Sequence, residues 1–468
     1  MDSIREITAL AAASLVLSAL GSAQEIQPRM GAPLPGLDAA QLANFAAGKV
    51  VFDTQLTPAQ GLGPIFNNQS CKSCHLGPQT GGSSSIFVTR FGVAATGSTP
   101  FDPLDNLGGS LLESFSINSP GCDEVVPPQA DVVIHRITPP TFGFGLVEAI
   151  LDGDILVNEV FPPPGVHGHT HMVAGLEDPP GSPLRVGRFG WKSQVATVLS
   201  FSSDASLNEM GLTNRFLPVE NAPNGDLARL AQCDSVQDPE DPMDSSGKFL
   251  IDRMTDFQRY LAPPPQTPRT GMHGEQVFNA VGCASCHLSA PFLASSLAEP
   301  GIANVNLKPY SDFLVHDMGS LGDGIAQGAA TETEMRTAPL WGVAFRAPVA
   351  LLHDGRASGA SPGANIQSAI LAHDGEGLAS ANAYSALSAA DKTALQNFLL
   401  SLGRLEFDFE ANNNVDEVDW FFLYPLVNGP APAVPYTPDS VGAVADFDQD
   451  GDFDLEDFGV LQRAFTGP

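Results

Sequence analysis

Two short stretches of this chain, "SCKSCH" ending at His75 and "GCASCH" ending at His287, each place two cysteines three residues apart with a histidine directly after the second. Such a set could hold zinc, close a disulfide, cycle as a redox pair or carry haem. The surroundings of Cys71, Cys74 and His75 alone do not decide between these, but the repetition at Cys283, Cys286 and His287 does. Cysteines at i and i+3 project from one side of a helical turn, so both can bond to the two vinyl edges of a haem. The next histidine then lies beneath the iron as an axial ligand. Zinc would explain the cysteines but not a histidine in the same place twice, and a thioredoxin-like pair wants a βαβ setting that is absent here. The expectation is two covalently bound haem c groups.

The elements that must position these motifs also come in pairs. "GKVVF" (Gly48 to Phe52) precedes the first motif and "GEQVF" (Gly274 to Phe278) the second. Each unit closes on an amphipathic helix. "MTDFQRYLAPPP" is stopped by Pro263 to Pro265, because proline cannot continue a helix. In "LSAADKTALQNFLLSLG", Ser388 suits the N-cap and Asp391 the first turn. Leu395, Phe398, Leu399 and Leu402 make one apolar stripe before Gly403. The expected fold class is mainly α: two cytochrome c-like haem domains with long loops (24–261 and 269–403), joined by a Pro-rich linker (262–268). A small α-helical dockerin/EF-hand-like module (404–468) would follow. Gly121 to Arg185 reads as a long insertion. Its "GVHGHTHM" offers His167, His169 and His171 to a metal, although alternating histidines on a loop are more often incidental.

Length and composition bound the rest. At 468 residues, two or three domains are expected, and 43% hydrophobic content is enough for real cores. A net charge of −31 argues against nucleic-acid binding and leaves room for a cationic redox partner. The apolar run Ile7 to Leu20, followed by small residues Gly21 and Ala23, reads as a signal peptide over 1–23. That predicts a periplasmic or otherwise exported chain with no membrane span in its mature part. In such an oxidising compartment the two remaining cysteines, Cys122 and Cys233, could pair.

The opposite axial positions have several candidates by chemistry: Met210, Met318, His316, His353 and His373. Here the segments "GLGPIFNNQSCKSCH", "RITPPTFGFGLVEAI", "GRFGWKSQ", "NEMGLTN", "FLVHDMG", "RTAPLWG", "LLHDGRA" and "AILAHDGEG" matter. In that order, from about Gly48 to Gly403, they resemble the bacterial dihaem cytochrome c peroxidase and MauG superfamily. The nearest branch is that of dihaem oxidoreductases described as predicted thiol oxidoreductases. The resemblance implies that His373 joins His287 as the second haem's ligand, with Met318 as the alternative. It implies that Trp191 lies between the haems and that Glu209 is the distal acid that helps cleave peroxide at the first haem. Core filler and surface acid remain the other readings of Trp191 and Glu209. The long insertion, and a histidine where many relatives have Met, depart from the peroxidases.

The tail carries a different chemistry. In "DFDQDGDFDLED", Asp446, Asp448, Asp450, Asp454 and Asp457 fall at positions 1, 3, 5, 9 and 12 of an EF-hand loop, with Gly451 at the turn and the Asp452 carbonyl at position 7. "DFEANNNVDEVD" repeats the spacing with Asp408, Glu410, Asn412, Asp416 and Asp419, and Asn413 stands in for the glycine. Asp at position 12 resembles dockerin-type repeats, so Ca2+ and a docking partner are expected. The expected function is an exported, peroxidase-like dihaem oxidoreductase served by a small electron-donor protein. Electrons would pass from the C-terminal haem by way of Trp191 to a reactive N-terminal haem. A non-catalytic electron carrier, or an assembly component docked through the calcium module, is the alternative.

Overall fold

The computed structural model describes residues 28–265, 272–410, 412–429, 436, 441–447 and 451–466. The expected leader at 1–23, linker residues 266–268, and Asp448 and Asp450 lie outside the described residues. The chain divides into two compact units, one of Pro28–Arg404 and one that holds Leu405–Pro468.

Helix Ala39–Asp53 starts where the Asp38 carboxylate accepts a hydrogen bond from the Gln41 N–H and the Gln41 side-chain oxygen accepts one from the Asp38 N–H. This satisfies two donors that a helix start leaves open. The helix packs on Leu250–Tyr260, and Phe45 and Phe52 meet Phe257 with ring centres 5.3 and 4.7 Å apart. Gly48 sits at the crossing with the Arg253 carbonyl in the space a Cβ would need. In the second half, helix His273–Ala280 packs on Ala389–Ser401. There Gly274 stands against the Ala394 carbonyl, and Phe278 meets Phe398 at 5.4 Å. The paired glycines in the sequence are therefore the points of closest helix approach. Burying each fully enclosed phenylalanine contributes about 1.5–3 kcal/mol.

The expectation of a mainly α fold is corrected: 36% of the described residues are helix and 13% strand, a mixed architecture with several small sheets. The largest is antiparallel, with Phe87–Gly92 in the middle between Leu111–Leu112 and Val132–Ile137. Five two-stranded ladders accompany it among the described residues. The cause lies in "FVTRFG" and "VVIHRI", short runs rich in β-branched and aromatic residues that favour a pleated surface. Most of the other strands are only two or three residues long, and sequence period does not resolve runs of that length.

Cys122 and Cys233 form a disulfide with Cα atoms 6.0 Å apart, closing a loop across a separation of 111 residues. Among the described residues, no helix is long and apolar enough to cross a membrane.

Candidate functional site

The first motif is a single helical turn, Cys71–Cys74, started by Ser70, whose hydroxyl accepts from the Ser73 N–H. His75 ends it, and its Nδ1 lies 3.1 Å from the Gly82 carbonyl. A nitrogen facing a carbonyl must donate, which leaves Nε2 as the basic nitrogen. Burial lowers the His75 pKa to about 4, so the ring is neutral. Burial also pushes the Cys71 thiol up to about 12 and the Cys74 thiol up to about 11. Reactive redox cysteines are shifted the other way.

All three residues line a cavity enclosing about 1170 Å³ of empty space, its mouth included. One wall is the three-stranded sheet. Cross-strand partners share a face, and the pairs Val88↔Arg136 and Arg90↔Leu111 all turn into the cavity. Arg90 Nε is buried there without a hydrogen-bond partner, a donor placed for an anionic group of the occupant.

Another wall is helix Val198–Met210. Thr197 caps its start, and Gly211, at φ 61°, supplies the left-handed turn that ends it. Phe201, Ala205 and Glu209, four residues apart, line the cavity together with Met210. Glu209 is tied to the segment leading into the first motif. Its carbonyl accepts from the Asn67 and Asn68 N–H groups at 2.8 and 3.1 Å, and its carboxylate accepts from the Asn67 amide at 3.0 Å. The Ser114 N–H donates to the Asn67 oxygen, fixing which end of that amide faces Glu209. Burial raises the Glu209 pKa to about 7, with Arg90 and Asn67 opposing.

Trp191 lines the same cavity and donates from Nε1 to the Ile137 carbonyl at 3.2 Å. It belongs to a small apolar cluster with Ile137, Met335 and Ala350, against which Met318 packs. The His353 ring stands edge-on at 6.2 Å, and the Arg346 guanidinium lies 5.8 Å from the indole. Beneath this wall Asp323 pairs with Arg136 at 2.6 Å and Lys192 at 3.3 Å, all three buried. These charged partners were not singled out in the sequence, because an isolated Arg, Lys or Asp in a loop gives no local signal of burial.

At the second motif, His287 Nδ1 lies 2.9 Å from the Tyr310 carbonyl, and burial lowers its pKa to about 4. The ring of His373 faces it, with centres 6.5 Å apart and planes at 64°. His373 Nδ1 lies 2.8 Å from the Ala369 carbonyl, so both imidazoles keep Nε2 as the basic nitrogen. Met318 is a neighbour, since its Cε and the His373 ring crowd the same side of Gly377.

The other histidines are engaged elsewhere. His316 is clamped between Asp312 at 2.9 Å and Glu376 at 3.0 Å. Burial opposes its charge, but hydrogen bonds with Asp312, Cys286 and Glu376 push its pKa up to about 12. That leaves no lone pair for a metal. His169 binds Glu334, His171 spans the Lys192 carbonyl and the Ala329 N–H, and the His167 N–H reaches Glu376. The three therefore do not converge on one point.

In the tail the two loops share one hydrogen-bond pattern. The Phe409 N–H donates to Asp419 and the Phe447 N–H to Asp457. The Asn413 N–H donates to Asp408 and the Gly451 N–H to Asp446. Asn413 and Gly451 take the left-handed turn at φ 69° and 102°. Asp416 and Asp454 cap the helices that follow, and Asp452, Asp454 and Asp457 bring carboxylate oxygens within 4.8 Å of one another. Glu410 and Asn412 hydrogen-bond each other at the loop surface.

A family model described as "Di-haem oxidoreductase, putative peroxidase" matches residues 126–402. That span holds Trp191, Glu209, the second motif and His373, while the first motif precedes it. Curated proteins and solved structures gave no match. With more than half of its length matching and both motifs set among groups suited to haem, the chain belongs to the di-haem oxidoreductase family.

Proposed function

We propose that this chain is an exported di-haem c-type oxidoreductase, peroxidase-like, with one closed and one reactive haem. One observation carries the reading: the two motifs face different groups. His287 faces an imidazole, while His75 shares its cavity with a carboxylic acid. A metal–imidazole bond of about 2.0 Å, plus about 1 Å from ring nitrogen to ring centre, sets two imidazoles on one ion about 6 Å apart. The 6.5 Å between His287 and His373 fits that arrangement. The two rings would hold the second iron, with Met318 beside them as the alternative ligand.

The lining of the cavity suits the other haem through two neutral thiols, the basic Nε2 of His75 and the unpartnered Arg90 Nε. Cys71 with Cys74, and Cys283 with Cys286, would carry the covalent attachments. Held there by Cys71, Cys74 and His75, a haem would supply a redox-active iron able to react with a small ligand. Glu209 takes a proton from the near oxygen of a peroxide and returns it to the departing oxygen, a task suited to an acid with a pKa near neutrality. Trp191, between this cavity and Met318, would relay electrons from the His287/His373 side.

A small cationic donor protein suits the net charge of −31. The disulfide supports an oxidising compartment. Through its paired loops the tail would bind Ca2+ and dock, dockerin-like, to a protein partner. The test is to mix reduced holoprotein with hydrogen peroxide and follow its visible spectrum. Oxidation within seconds supports the enzyme, and haems indifferent to peroxide would instead make the chain an electron carrier.

A further inference from the structure

Away from both haem motifs, three carboxylates converge without a counter-charge. Glu220 lies beyond the turn that follows the Glu209 helix, and Asp238 and Glu240 return beside it. One oxygen from each lies within 4.8 Å of the others. Glu220 is 6% exposed and Glu240 7%. Thr213 donates to Glu240 from its N–H at 3.1 Å, and its hydroxyl lies 2.6 Å from Glu240 and 2.7 Å from Asp238. A hydroxyl has one proton, so only one of those two carboxylates can receive it.

Glu220 fares worse, since neither of its oxygens has a hydrogen-bond partner. Arg215 turns instead to Asp241 and Asp252. Among the described residues, none of the three acids has a basic partner. Leaving a buried carboxylate unpaired costs several kcal/mol. Burial and the charges of Glu240 and Asp238 push the Glu220 pKa up to about 9. A proton on Glu220 would still leave two acids, with Asp234 adding its charge nearby.

We propose that Glu220, Asp238 and Glu240 form a divalent-cation site, completed by the Thr213 hydroxyl and selective for Ca2+. The donors are all oxygen, which disfavours zinc, and Mg2+ demands near-octahedral geometry and keeps its waters, whereas Ca2+ accepts a loose set of carboxylate and hydroxyl oxygens. Such an ion would brace a functional segment. Asn221, next to Glu220, bonds Glu113 and Asn208 at 3.1 Å each, and Asn208 lines the cavity beside Glu209. Cys233, next to Asp234, anchors the same segment through the disulfide.

The experiment uses full-length holoprotein carrying Asp419→Asn and Asp457→Asn, so that the tail loops contribute no calcium. Equilibrium dialysis with calcium alone should find one ion per chain, lost on adding Glu220→Gln. Thermal unfolding gives an independent sign. In calcium, Glu220→Gln should lower Tm because a ligand is gone; in chelator it should raise Tm because a buried repulsion is gone. No bound calcium in the parent, or an equal rise in Tm with and without calcium, would overturn the site in favour of a cluster satisfied by a proton. Should Glu220→Gln not fold, Asp238→Asn is read by the same two outcomes.

Discussion

Replacing Glu209 by Gln keeps the shape of the side chain and its contact with Asn67 while removing the proton it can exchange. With a pKa near 7, the carboxylate is about 1% ionised at pH 5, about half at pH 7 and about 90% at pH 8. If the ionised form accepts the peroxide proton, the second-order rate rises about 50-fold from pH 5 to 7 and then levels off. Glu209→Gln should lose about 10²–10⁴-fold at pH 8, the usual worth of a positioned base, and its profile should be flat. Stability should move the opposite way. The pKa is raised above the unfolded value of 4.5, so ionised Glu209 costs the fold nothing below pH 4.5 and most above pH 7. Glu209→Gln therefore stabilises the protein at pH 8, by at most about 3 kcal/mol, and leaves it unchanged at pH 4. Stopped-flow mixing with peroxide across pH, with urea unfolding at pH 4 and 8, measures both. A variant that keeps the wild-type rate and pH profile would refute the role assigned to Glu209.

Three other outcomes follow from the same geometry. His373→Ala should convert one low-spin haem to high-spin, reversed by added imidazole, while Met318→Ala leaves the spectrum unchanged; the opposite result would exchange the two ligands. Asp323→Ala leaves Arg136 and Lys192 buried without their shared anion, which should cost about 3–5 kcal/mol in denaturant unfolding. Although burial opposes it, the Arg136 and Lys192 charges hold Asp323 below its usual range, so this stabilisation is complete above about pH 4 and fades as pH falls further. For the tail, a calcium chelator should speed proteolysis within Glu406–Thr466 while the haem spectrum stays unchanged, and equal cleavage with and without calcium would remove calcium from the account of the tail.

The two proposed attachment motifs were legible because covalent haem attachment needs residues close together in sequence. Cys71, Cys74 and His75 are read from six positions, and their repetition at Cys283 supplies the check. The paired glycines were visible as a repeat, but their reason, contact with the Arg253 and Ala394 carbonyls, was not. Glu209 came from resemblance alone, and resemblance singled out His373 among five candidates by chemistry, since neither has a local pattern that marks it as facing a motif more than 80 residues away. The sheet wall went unseen. "FVTRFG" and "VVIHRI" alternate too briefly to stand out, and Arg90 and Arg136 take meaning only when cross-strand pairing turns them into one cavity. Glu220, Asp238 and Glu240 were equally silent, because acidic residues in loops are usually solvated and only tertiary packing buries Glu220 and Glu240 and brings Asp238 beside them.

The account turns on two haems of unequal accessibility, and cyanide titration of the oxidised holoprotein, counted against covalently bound haem, tests this directly. The expected result is two covalent haems per chain and one cyanide bound, on the haem held by His75, with the His287/His373 haem unchanged. Two cyanides, none, or fewer than two covalent haems would contradict it.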